Sequence, residues 1–134
     1  MTTVLMVESE RLVRDVVVDR LERSGYEVIA CPGPSAPDYT CVGTRGGRCP
    51  LELAADVVVV DAELPGEDVP DAALGLDLLS YYAGTGKPVV ALRAPSDVLR
   101  LFAEERILPL EWPPDMELLI DAIEESTEHP PARA

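Results

Sequence analysis

Apolar residues fall along this chain in two rhythms. Short runs rich in valine and leucine recur at 3–7, 26–31, 57–60, 87–92 and 107–112. Between them, apolar positions repeat every three or four residues. The runs predict strands covered on both faces, and the spaced positions predict amphipathic helices. The centre of the pattern is Asp56-Val57-Val58-Val59-Val60-Asp61. Four β-branched residues between two aspartates predict a buried central strand. Asp61 stands where that run approaches a turn signal, Leu64-Pro65-Gly66. In open α/β sheets, ligands and chemistry gather at the carboxyl ends of the strands, so Asp61 is the first candidate functional group.

Taken in order, Thr3–Val7 predicts a first strand. Ser9 is the expected N-cap of a helix over Arg11–Arg23, with Leu12, Val13, Val16, Val17 and Leu21 inward. Gly25 is expected to stop it. Tyr26–Cys31 predicts a second strand, which completes a right-handed parallel βαβ unit. Pro32, Pro34 and Pro37 then forbid an ordinary helix start. A Cys/Gly/Pro-rich loop is therefore expected where a second crossover helix belongs, with at most a helical turn at 51–55. Beyond the central strand, the spacing predicts a helix over 72–82 and a fourth strand over Lys87–Arg93. A helix over 97–106, an edge strand over Ile107–Trp112 containing Pro109, and a last helix over 115–126 follow. Met116, Leu119, Ile120 and Ile123 are the expected inward face of that helix. The expected organisation is one domain over 1–127 with a tail at 128–134.

Charge narrows the functional classes. The 134 residues carry 25 acidic and 11 basic side chains, a net charge of −14. That balance repels phosphate backbones and argues against nucleic acid as a direct partner. No apolar run approaches the roughly 20 residues of a membrane span. The first residues lack the features of a signal peptide, so a cytoplasmic protein with reduced cysteines is expected. Cys31, Cys41 and Cys49 are spaced as no zinc motif is. They stay open as a metal or redox set, with Asp38 or Glu52 as added ligands, or as small packing residues.

The order of elements is that of a flavodoxin-like, doubly wound α/β sheet of five parallel strands in order 2-1-3-4-5. With it, Val4-Leu5-Met6-Val7-Glu8, Gly25-Tyr26-Glu27-Val28, Asp61-Ala62-Glu63-Leu64-Pro65-Gly66 and Lys87-Pro88-Val89-Val90-Ala91-Leu92 resemble the receiver domains of two-component response regulators, CheY-like proteins. The resemblance implies that Asp61 is the phosphoacceptor position, and that Glu8, Glu10 and Asp61 are the candidate magnesium ligands. It also implies no enzyme beyond that self-phosphorylation. The partner would be a sensor kinase or downstream effector, bound through the fourth helix, fifth strand and fifth helix. A homodimer through that face is a further expectation.

The departures from the pattern bear on activity. Ser9 takes the second acidic position, Arg93 the switch Ser/Thr position, Trp112 the lysine position and Pro109 the aromatic switch position. A glutamate and a neutral serine weaken an octahedral oxygen site. Trp112 suits a partner surface. Arg93 has two readings: it binds a phosphoryl group in place of the missing lysine, or it pairs with Asp61 directly and mimics a fixed state. The second is preferred, because the metal positions are altered as well. The expectation is a stand-alone atypical receiver acting as a signalling or interaction module. A working single-domain receiver and a Cys-based sensor are the alternatives.

Overall fold

The computed structural model describes residues 2–8, 10–32, 49–61, 79–94, 99–100, 107–111 and 115–128. Its elements are β1 (Thr3–Val7), α1 (Arg11–Arg23), β2 (Glu27–Cys31), α2 (Pro50–Ala54) and β3 (Val57–Asp61), then a helical stretch at 79–84, β4 (Val89–Leu92), β5 (Ile107–Leu110) and α3 (Met116–Glu128). The five strands form one parallel sheet in the order β2-β1-β3-β4-β5. This is the expected doubly wound architecture. The proline-rich loop, Cys41, Trp112, Ser9 and most of the helix expected over 97–106 lie outside the described residues. The turn expected before β3 is the five-residue helix α2.

The valine run is central because both of its faces are covered. Val58 and Val60 join Leu5, Val7 and Ala91 against Leu79 and Tyr82. Val57 and Val59 join Val4, Met6 and Leu92 against Val17 and Leu21 of α1 and Leu119 and Ile123 of α3. Successive residues of a strand point to opposite faces, so one run supplies both layers. The two aspartates that bracket it behave differently. Asp56 is exposed and its Oδ2 accepts the Thr3 N–H at 2.8 Å, fastening β1 to β3. Asp61 is fully buried.

Helix α1 ends as expected. The Gly25 N–H donates to Glu22 O and the Tyr26 N–H to Leu21 O, both at 3.1 Å. Gly25 takes φ +95°, which closes a Schellman motif and turns the chain into β2. The start of the helix corrects the sequence reading, because Glu10 occupies the N-cap rather than Ser9. The inward face is corrected as well. Leu12 and Val16 are 75% and 64% exposed. The covered arc is centred on Val17 and Leu21, with Val13 and Val18 at its margins. In α3, Leu119 and Ile123 are buried and Met116 and Ile120 partly so, as expected. Asp115 caps this helix, its Oδ1 accepting the Glu117 N–H at 2.9 Å. At the edge, Pro109 is exposed on β5, where its missing N–H costs no ladder bond.

Candidate functional site

Parallel strands in register bring their carboxyl ends to one rim. Val7 is level with Val60, and Asp61 is level with Leu92. Glu8 therefore follows β1 beside the end of β3, and Arg93 follows β4 beside Asp61. By strand alternation, Glu8 extends the row of Val4 and Met6, and Asp61 extends the row of Val57 and Val59. The rim above the α1 and α3 layer thus gathers two carboxyl groups and one guanidinium.

Each is held by backbone. The Glu8 N–H donates to Cys31 O at 3.0 Å, continuing the sheet by one residue. Arg14, in the first turns of α1, donates from Nη1 to Glu8 O at 2.8 Å. The Arg93 N–H donates to Leu110 O at 3.2 Å, at the end of β5. Arg93 also takes φ +59°, the left-handed region that side-chain-bearing residues rarely adopt. That turn ends β4 and returns the side chain to Asp61.

Arg93 grips Asp61 with two parallel bonds. Nε donates to Oδ1 at 3.0 Å, and Nη2 donates to Oδ2. The Asp61 side chain is fully buried and that of Arg93 is 25% exposed. A fork-to-fork pair of this kind is directional and charge-assisted. It is the second of the two arrangements weighed for Arg93, direct pairing with the aspartate.

Glu8 completes the group. Its Oε1 accepts the Glu10 N–H at 3.1 Å. Its Oε2 is buried, with no donor among the described residues. Burial pushes the Glu8 pKa up to about 8, and its hydrogen bond to Asp61 and the charge of Asp61 push in the same direction. The Glu10 N–H and Arg93 oppose them. A hydrogen bond between two carboxyl groups requires a proton. At neutral pH Glu8 holds it, beside the Asp61 side chain that Arg93 grips.

This arrangement does not fit the magnesium ion that the receiver resemblance implies. Both oxygens of Asp61 accept bonds from Arg93, and Glu8 has one oxygen on a backbone N–H. Glu10 is exposed at the helix cap. Among the described residues, no three His, Cys, Asp or Glu side chains converge as a metal requires. The structure thus brings Glu8, Asp61 and Arg93 together and leaves Glu10 outside the cluster.

The cysteines lie elsewhere. Cys31 ends β2 and is buried in the layer with Leu79 and Tyr82. Cys49 is a buried free thiol that precedes α2, and its N–H donates to the Tyr81 hydroxyl at 2.7 Å. Glu52, weighed from sequence as an added metal ligand, is fully buried and pairs with Lys87 at 3.2 Å. Lys87 Nζ also donates to Glu52 O. Sequence reasoning missed this pair. Its signals were present: one lysine in the whole chain, placed before an apolar strand, and a glutamate inside Pro50-Leu51-Glu52-Leu53-Ala54. Lys87→Met removes the ammonium while keeping the length of the side chain. The expected loss is about 2 kcal/mol of folding stability, read by urea unfolding. A variant as stable as the parent would show that the pair contributes nothing net.

No protein-family model matches the sequence, and no curated protein matches it. Solved structures do. A CheY-like response regulator receiver domain protein from Methanospirillum hungatei is 16% identical, with a TM-score of 0.70; the match covers 96% of this chain and 94% of that one. The non-phosphorylated HemR receiver domain of Leptospira biflexa is 19% identical over the whole of both chains, with a TM-score of 0.65. The chain has the receiver fold. A putative pilus assembly protein, cpaE, from Burkholderia thailandensis is also similar, at 19% identity and a TM-score of 0.65, covering 96% of this chain and all of that one. Asp61 ends the central strand of that fold. The neighbouring positions hold Glu8 and Arg93.

Proposed function

We propose that this chain is an atypical receiver-like module that works through protein interaction, with metal-dependent phosphorylation of Asp61 lost. The observation that carries this reading is the buried, two-pronged bond from Arg93 to Asp61. A carboxylate attacking a phosphodonor needs a free lone pair and a cation on the transferred group. Here both carboxylate oxygens are engaged, and the cation is part of the protein. The rim is therefore held in one paired arrangement without a phosphoryl group.

The partner surface follows from the receiver analogy. It comprises β5 and α3, where Leu118 is 56% exposed. A sensor kinase, a downstream effector or a second copy of the chain is the partner class. No helix among the described residues is long and apolar enough to cross a membrane, which is compatible with a cytoplasmic setting.

Intact mass decides between this reading and a working receiver. The protein is treated with magnesium and a small-molecule phosphodonor, beside an Asp61→Asn variant and an ordinary receiver as positive control. The expected result is no adduct on either form of this chain. A phosphoryl adduct on the wild type, absent from Asp61→Asn, would overturn the reading. Arg93 would then be a phosphoryl-binding residue.

A further inference from the structure

We infer that the Arg93 guanidinium is the resident cation of a latent divalent-metal site, and that removing it converts the Glu8 and Asp61 rim into a site for a magnesium-class ion. This deepens the reading above and rests on it. The receiver fold implies a metal at this rim, and the residues present do not accept one.

Three observations support it. First, Arg93 occupies both oxygens of Asp61, the group any cation here must reach. A hard divalent ion needs oxygen ligands at about 2.0–2.1 Å with near-octahedral order, so it cannot share them with two N–H donors. Second, Glu8 is fully buried and its Oε2 has no donor among the described residues, although it lies against Asp61. Third, the guanidinium is held there by backbone. Arg93 follows β4 in a left-handed turn, with its N–H fixed to Leu110 O. An arginine takes that conformation at a cost, which glycine avoids.

Charge accounting gives the same result. With Arg93 present, a cation already sits on Asp61 in a buried ion pair. Without it, two buried carboxyl groups face each other, and a divalent ion is the small hard species that satisfies both. Water completes its shell, as is usual for such ions.

The test compares thermal unfolding of the full chain in magnesium or manganese chloride with unfolding in sodium chloride of equal ionic strength. Three proteins are used: wild type, Arg93→Gly, and Arg93→Gly with Glu8→Gln. Glycine is chosen because it tolerates φ +59°. Wild type is expected to show no divalent-specific change in Tm. Arg93→Gly is expected to rise by about 5–10 °C at saturating ion. The double variant is expected to lose that rise, which separates the rim from loose binding by the acidic surface. If wild type rises as much as Arg93→Gly, or if neither rises, the inference is overturned. Should Arg93→Gly fail to fold without metal, its folding on addition of manganese supports the inference, and its failure to fold then overturns it. Paramagnetic broadening of the wild-type Glu8 and Asp61 amides by manganese also overturns it. Wild type that binds metal yet forms no phosphoryl adduct defeats this inference alone. A phosphoryl adduct on wild type defeats the functional reading.

Discussion

Replacing Arg93 with alanine lowers folding stability by about 3–5 kcal/mol at neutral pH. The reason is the difference in burial across the pair. Asp61 is fully buried, and the Arg93 side chain is only a quarter exposed. Removing the guanidinium leaves a carboxylate in the interior with its principal counter-charge gone. That penalty exceeds what the intact pair contributes relative to an apolar isostere. Backbone conformation refines the expectation. Arg93 sits at φ +59°, so Arg93→Gly is expected to be about 1 kcal/mol less harmful than Arg93→Ala. Denaturant unfolding of both variants measures the two differences. A stability within about 0.5 kcal/mol of wild type for Arg93→Ala would mean that the pair is an exposed surface contact in solution.

Glu8→Gln is expected to make the protein more stable in mild alkali. The folded pKa of Glu8, about 8, lies above its ordinary value of 4.5, so the native state binds a proton that the unfolded chain releases. The stabilisation by the neutral form is complete below about pH 4.5 and is lost as the pH rises through about 8. The slope over that window is up to about 1.4 kcal/mol per pH unit. Glutamine is permanently neutral. It offers an N–H₂ toward Asp61 and a carbonyl toward the Glu10 N–H. The variant and wild type should be nearly equal near pH 5, and the variant should lead by on the order of 2–4 kcal/mol at pH 8. Unfolding free energies across that range provide the measurement. Parallel curves for the two proteins would show that Glu8 is ionised in the native state.

The sheet was legible in the sequence because parallel strands leave a simple record. Val57–Val60 and Val89–Leu92 are continuous apolar runs, and a sheet covered on both faces requires that. Helix α1 was less legible. Its apolar residues occupy most of the circumference, and about 100° of rotation per residue separates Leu12 and Val16 from the arc around Val17 and Leu21. Periodicity shows that one arc is buried, and neighbouring elements decide which. At the rim, sequence placed Asp61, Glu8 and Arg93 at strand ends. The preferred pairing of Arg93 with Asp61 agrees with the geometry. The exclusion of Glu10 was not legible, because it depends on which residue caps α1. Nor was the Glu52–Lys87 pair, whose members are 35 residues apart and come from different layers.

The two buried ion pairs share one strand. Lys87 stands just before β4 and meets Glu52, and Arg93 stands just after β4 and meets Asp61. The side chains of β4, Val-Val-Ala-Leu, are all apolar and all buried, so a slip of two residues would preserve every inside–outside assignment. Apolar pairing alone leaves that alignment nearly degenerate. The same slip would carry both cations about 6–7 Å from their carboxylates. β4 is thus keyed at both ends by opposite charges, and these keys fix its alignment between β3 and β5 where hydrophobicity cannot.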